Sequence, residues 1–84
     1  MSSTDMGLYT YPNPASHSLT INLTGFDIDS SVEIIIHDML GKEMDKISVV
    51  GERTTLSVTS YSRGTYFIKA SQGSKIYVEK FIRE

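Results

Sequence analysis

The chain reads as an all-β protein, a single small antiparallel β-sandwich of about seven strands. Three observations predict this. Apolar and polar side chains alternate with a period of two in one run after another, the mark of strands with one buried face. Glycine, proline, asparagine, aspartate and serine punctuate those runs at short intervals, and no stretch carries helical periodicity. Finally, Gly64–Ala70 and Lys75–Arg83, both rich in aromatic and β-branched residues, flank the polar break Ser71-Gln72-Gly73-Ser74 and read as a hairpin.

Leu8–Tyr11 is a short aromatic strand, stopped by Pro12-Asn13-Pro14. Two prolines fix two φ angles and remove two donors, so this segment belongs at a sheet edge or in a connection. Ser18–Thr24 alternates cleanly, with Leu19, Ile21 and Leu23 directed inward. Gly25–Ser30 is a loop with apolar anchors at Phe26 and Ile28. Ser31–His37 places Val32, Ile34 and Ile36 on one face and Ile35 on the other, as a central strand does. Asp38–Lys42 is a turn in which Gly41 supplies a positive φ. Glu43–Val50 carries Ile47 and Val49 on a common face, Gly51–Arg53 turns the chain, and Thr54–Val58 alternates through Leu56 and Val58. Thr59–Arg63 is a loop leading into the final hairpin. There, Tyr66, Ile68 and Ala70 share one face, and Ile76, Val78 and Ile82 share one face of the last strand. These apolar faces need a sheet around them. Strands at this spacing favour a sandwich of immunoglobulin type over a small barrel.

Length and composition bound the function. With 84 residues there is room for one core. Eight Lys and Arg against ten Asp and Glu give a net charge of -2, which supplies neither the basic surface nucleic acid requires nor a polybasic patch for anionic lipid. The chain has no cysteine, so disulfides and thiol chemistry are excluded. No apolar run approaches the length of a membrane helix. Residues 1–7 lack the basic start and apolar stretch of a signal peptide and read as an expression remnant or linker, with the domain itself over residues 8–84.

A catalytic reading fails early. His17 lies in a turn and His37 at a strand end, and both read as solvated surface residues. His37 beside Asp38 makes no dyad, because neighbouring strand residues point to opposite faces. No serine has the glycine context of a strained nucleophile. Asp27, Asp29, Ser31 and Glu33 space oxygens at alternate positions, yet the glycine and distal glutamate of a calcium loop are missing. This stretch reads as an acidic loop before a strand. No catalytic, cofactor or metal site is expected, and the chain is not expected to be an enzyme. Asn22-Leu23-Thr24 matches a glycosylation triplet, a pattern that occurs often by chance. Tyr9, Tyr11, Tyr61, Tyr66 and Tyr77 are candidates for a sugar-stacking platform, although Tyr66 fits the core better.

Three landmarks, in order, resemble the C-terminal sorting domains of the bacterial type IX secretion system (type A group). The first is Leu8-Tyr-Thr-Tyr11-Pro12-Asn13-Pro14-Ala15, followed by the Ser18–Leu23 strand. The second is the strand ending Asp38-Met-Leu-Gly41-Lys42. The third is Gly64-Thr-Tyr66, with a last strand carrying Lys80 and Arg83. The resemblance covers Leu8 to Glu84. Where many members have Leu-Pro before the glycine motif this chain has Tyr61-Ser62-Arg63, and it finishes on the acid Glu84. The resemblance makes Tyr11, Pro12, Asn13, Pro14, Asp38, Gly41, Lys42, Gly64, Tyr66, Lys80 and Arg83 the sorting-motif residues. Read from physics alone, Lys80 is a charge that keeps an edge strand from pairing with neighbours.

The resemblance also implies a function: a C-terminal address that sends a larger upstream passenger through the outer-membrane translocon after transit of the periplasm. A sortase-like peptidase would then remove the domain, and the passenger would be released or anchored at the cell surface. The terminal hairpin is the expected recognition element, because a strand at a sheet edge invites strand addition. The rival reading is an accessory sandwich of a secreted enzyme, either a carbohydrate-binding module or a spacer.

Overall fold

The structure, a computed structural model, describes residues 7–84. Residues 1–6 of the stretch read as remnant or linker lie outside the described residues, and Gly7 opens the first strand. The strands are β1 (Gly7–Tyr11), β2 (Ser18–Thr24), β3 (Val32–Asp38), β4 (Glu43–Val49), β5 (Arg53–Ser57), β6 (Gly64–Gln72) and β7 (Lys75–Arg83). They form a three-stranded sheet in the order β1-β2-β5 and a four-stranded sheet in the order β4-β3-β6-β7. Every strand pair is antiparallel. Strand β3 is central, as its two-sided apolar pattern predicts.

Period-two alternation builds the core. Leu19, Ile21 and Leu23 of β2 face Val32, Ile34 and Ile36 of β3, with Ile68 and Ala70 of β6 beside them, and all are buried. Phe26 anchors the loop after β2 and packs edge-on against Tyr77 at 5.5 Å between ring centroids. The second predicted anchor of that loop, Ile28, is 56% exposed instead.

One face assignment is reversed. Ile76, Val78 and Ile82 do not continue the buried face of β6; they are exposed, whereas Phe81 is fully buried and Tyr77 packs against the core. The hairpin explains this. Strand β6 runs on through Ser71 and Gln72, which pair with Ile76 and Lys75, so only Gly73 and Ser74 remain in the turn. Gly73 has φ 61° and, among the described residues, no non-glycine residue has positive φ, the arrangement of a type II′ turn with glycine first. A two-residue turn pairs even-numbered residues of β6 with odd-numbered residues of β7. Tyr66 therefore sits opposite Phe81, and Ala70 opposite Tyr77. The buried side of β7 is its aromatic side.

Candidate functional site

The seven strands alternate in direction, so β1, β3, β5 and β7 finish at the end of the sandwich where β2, β4 and β6 begin. Tyr11 pairs with Thr20, Ser18 with Ser57, Asp38 with Tyr66 and Gly64 with Arg83. Three landmarks separated by long stretches of sequence thus meet at one end. Gly7, opposite Thr24, lies at the other end.

The Pro12–Ala15 segment crosses from the three-stranded sheet to the free edge of β7. The Asn13 amide accepts the Ile82 N–H at Oδ1 (3.0 Å) and donates from Nδ2 to the Lys80 carbonyl (3.3 Å). Ala15, fully buried, donates its N–H to the Ile82 carbonyl at 2.8 Å and accepts the Glu84 N–H at 2.9 Å, making a short parallel bridge with Arg83. Prolines have no N–H to give to such an edge. The asparagine between them supplies both donor and acceptor from its side chain.

The turn between β3 and β4 is held by Asp38. Its Oδ1 accepts the N–H groups of Leu40 and Lys42, each at 2.9 Å. Its backbone carbonyl accepts the Gly41 N–H at 3.1 Å and its own N–H donates to the Lys42 carbonyl at 3.0 Å. Gly41 has the predicted positive φ, 90°, and a side chain there would meet nothing within 4 Å; backbone angle, not space, selects glycine. Beside the turn, the β3–β4 register shifts between Ile36 and His37, leaving Met44 as a bulge. The result is a rigid turn that holds Met39 (69% exposed) and Leu40 (94% exposed) in solvent. A shallow cleft of about 210 Å³ separates these two residues from Arg63, Gly64 and Thr65.

Below the surface the end is built on aromatic rings. Tyr66 stacks on Phe81 at 5.4 Å, and Tyr61 lies 5.1 Å from Tyr66. The Tyr66 hydroxyl donates to the Ser62 carbonyl at 2.6 Å, four residues upstream at the start of β6, which is the tyrosine corner of immunoglobulin-type sandwiches. The Tyr61 hydroxyl donates to Asp45 Oδ2 at 2.7 Å. Burial first, and then this carboxylate acceptor, push the Tyr61 phenol well above its ordinary range. Arg83 donates from Nε to the Val58 carbonyl at 2.7 Å and from its Nη atoms to the carbonyls of Thr59 and Glu84. Its guanidinium ties the Val58–Arg63 loop to the last strand.

The residues that the resemblance marks therefore divide, apart from Pro12 and Pro14 of the crossing segment. Asn13, Asp38, Gly41, Gly64, Tyr66 and Arg83 shape the end from within or beneath it. Tyr11, Lys42 and Lys80 present side chains to solvent. Ala15, Met39, Leu40 and Arg63, which lie within or beside the landmarks but outside the marked residues, also build this end. The available signal was a pair of large apolar residues inside a tight turn, where polar residues are the rule.

The remaining sequence candidates stand apart from this end or apart from one another. Asp27 caps its own loop, its carboxylate accepting the Asp29 N–H at 3.0 Å and the Ser30 hydroxyl at 3.1 Å. These bonds, the Asp29 N–H above all, lower its pKa. Gln72 clasps the same loop through the Asp27 N–H and carbonyl. The His17 ring meets the hydroxyl of its neighbour Ser16 at 3.1 Å while its backbone carbonyl accepts the Val58 N–H at 2.9 Å, and His37 leans on Phe67 at 6.3 Å. Of the five tyrosines weighed as a sugar platform, Tyr61 and Tyr66 are buried and Tyr77 packs against the core, leaving Tyr9 and Tyr11 exposed.

Comparison with known proteins places this arrangement in context. Residues 9–84 match the family model described as "Secretion system C-terminal sorting domain". Beta-agarase A of Zobellia galactanivorans is 35% identical over 72 residues, which is 84% of this chain and 13% of the agarase. The chain thus spans a small fraction of that relative's length. A DUF3244 family protein of Bacteroides vulgatus, described as having an immunoglobulin-like β-sandwich fold, superposes with a TM-score of 0.76 over 100% of this chain and 90% of its own, at 15% identity. That likeness concerns the fold.

Proposed function

The chain belongs to the family of secretion system C-terminal sorting domains, the type IX sorting signals whose landmarks it carries, and on that premise we propose that residues 8–84 direct a larger upstream passenger across the outer membrane and are read at the landmark end of the sandwich. The passenger joins at the opposite end, before Gly7, and leaves the landmark end unobstructed. The translocon contacts the Met39–Leu40 turn and its cleft. A sortase-like peptidase then removes the domain, and the passenger is released or held at the cell surface. The agarase fits this picture in that the matching segment is 13% of its length, the rest being available as passenger.

The observation that carries the proposal is the convergence of Asn13, Asp38–Lys42, Gly64 and Arg83 at one end, crowned by two apolar side chains in open solvent. The test fuses residues 8–84 to an inert exported reporter in a bacterium with a type IX system. The intact fusion is expected at the cell surface, and a Met39→Ser/Leu40→Ser fusion in the periplasm. Surface display of both would refute recognition at this turn; retention of both would refute the sorting role. Deleting Lys75–Glu84 is a poorer test, because it removes the buried Phe81 along with any recognition signal.

A further inference from the structure

We propose that the open stretch of the β7 edge, Ile76 to Lys80, takes up an extended segment of a partner protein as an added strand, one whose outward side chains alternate between apolar and acidic. The proposal rests on the sorting role only in taking the occupant to be a segment of another protein.

The backbone supplies the first part of the argument. Strand β7 is an outer strand of its sheet, and the N–H and C=O of Ile82 both point away from β6, toward Asn13 and Ala15. Outward groups recur at every second residue of an antiparallel edge, so Lys80, Val78 and Ile76 also direct their N–H and C=O outward. The Pro12–Ala15 segment takes the Lys80 carbonyl and both groups of Ile82 and stops there. Among the described residues, nothing pairs with the outward groups of Ile76 and Val78 or with the Lys80 N–H. The predicted strand addition at the terminal hairpin is thereby confined to its first half. The last residues of β7 are already occupied by the chain's own N-terminal segment.

The side chains say what fits. Ile76 is 58% and Val78 57% exposed on the outer face of the sheet. In register, Val78 lies beside Lys69, which lies beside Ile35, and Lys80 lies beside Phe67. Aliphatic groups and ammonium groups are interleaved along this face. Lys46 is engaged by Glu33 at 3.6 Å, while Lys69 and Lys80 have no carboxylate partner among the described residues. Glu79 alternates to the inner side and cannot serve them. A second copy of the chain is a poor occupant. Antiparallel self-pairing about Val78 would bring two Lys69 and two Lys80 side chains onto one face without an acid. An incoming strand of alternating valine and glutamate type covers the aliphatics and answers the lysines, the cross-strand pairing that stabilises sheets.

The probe is a synthetic peptide of about eight residues, a typical strand length, alternating valine and glutamate, with a lysine-for-glutamate peptide as control. Each is titrated into the isotope-labelled 84-residue chain while amide shifts are followed by NMR. The acidic peptide is expected to move the amides of Ile76, Val78 and Lys80, and the basic peptide to leave them in place. Val78→Pro deletes an outward donor at an edge position where proline is tolerated, and should abolish binding. Lys69→Glu/Lys80→Glu leaves the backbone intact and should weaken the acidic peptide about tenfold while admitting the basic one. Absence of shifts in β7, equal response to both peptides, or shifts centred on Asp38–Lys42 would overturn the proposal. A chain that exports the reporter but ignores the acidic peptide disproves the added strand alone; one that binds the peptide but exports nothing disproves the sorting role alone.

Discussion

Asn13 stands to Ile82 as a neighbouring strand would, its side-chain oxygen accepting the Ile82 N–H at 3.0 Å while its nitrogen reaches the Lys80 carbonyl. Backbone from the start of the chain, flanked by two residues with no N–H, has been fitted against backbone from its end by one carboxamide. An edge left open here would be a template for unwanted pairing. Closing it with a side chain also fixes the path of Pro12–Ala15 and delivers Ala15 into the core.

Replacing that carboxamide should loosen the terminal strand locally. Asn13→Ala removes an acceptor and a donor at a partly solvated edge, and a cost of about 1 kcal/mol is expected. Asn13→Asp keeps the acceptor for Ile82 but loses the donor for Lys80, and should fall between wild type and alanine. Urea denaturation reads the global effect. Hydrogen exchange reads the local one: the Ile82 amide should exchange faster in the alanine variant, while amides facing β6 keep their protection.

The reversed face of β7 gives a sharper contrast. Phe81→Ala opens a cavity beneath Tyr66 and should cost about 3–5 kcal/mol, enough to unfold a marginal domain. Val78→Ala, on a side chain more than half exposed, should stay within about 0.5 kcal/mol of wild type. Comparable losses for the two variants would contradict the burial of the aromatic side. Thermal melts of both proteins settle it.

That reversal shows where the sequence was legible. Alternation placed the strands and identified the inward residues of β2, β3 and β6, because a single buried face leaves one consistent reading. In β7 three aliphatics, Ile76, Val78 and Ile82, compete with Tyr77 and Phe81, and the count favours the wrong side. The information lay in turn length: once Gly73-Ser74 is recognised as the whole turn, parity sends Phe81 inward. The candidate site was legible only as fragments. Tyr-Pro-Asn-Pro, Asp-x-x-Gly-Lys and Gly-x-Tyr can be picked out by eye, but their meeting at one end depends on strand pairings over long sequence separations. Nothing local tells that Asn13 binds the strand carrying Lys80, or that Arg83 is spent on the Val58 and Thr59 carbonyls.

Tyr61 predicts an alkaline limit to stability. The fold holds its phenol neutral, raising its pKa above the ordinary 10.0, chiefly by burial and then through the bond to Asp45. A group whose pKa is raised on folding contributes fully below its unfolded value and loses that contribution as pH climbs toward the folded value. Stability should therefore be insensitive to Tyr61 up to about pH 10 and decline above it, as the unfolded chain ionises first. Tyr61→Phe should start less stable at neutral pH, having lost the Asp45 bond, and show a shallower alkaline decline. Urea midpoints measured from pH 8 to 11 on both proteins test this; parallel curves would exclude Tyr61 as the source.

The β3–β4 turn separates residues that hold a shape from residues that are shown by it. Asp38 fixes two N–H groups and Gly41 takes a φ of 90°, so both are needed for the conformation. Gly41→Ala forces a Cβ into the left-handed region and should cost about 1–2 kcal/mol. Asparagine tolerates that region best among residues with a side chain, so Gly41→Asn should cost less, and β-branched valine more. Since a Cβ at Gly41 meets no neighbour, this ranking follows backbone preference rather than side-chain volume. Asp38→Ala should destabilise by about 1 kcal/mol by releasing the Leu40 and Lys42 amides. Met39→Ser and Leu40→Ser remove apolar surface that folding leaves mostly exposed, and their melting temperatures should match wild type or slightly exceed it. Nothing in the stability of the fold calls for two exposed apolar residues at that position. A secretion defect in these two variants, at unchanged stability, would assign them to contact with the export machinery. A stability loss in Leu40→Ser as large as that in Gly41→Ala would instead make Leu40 part of the folded framework.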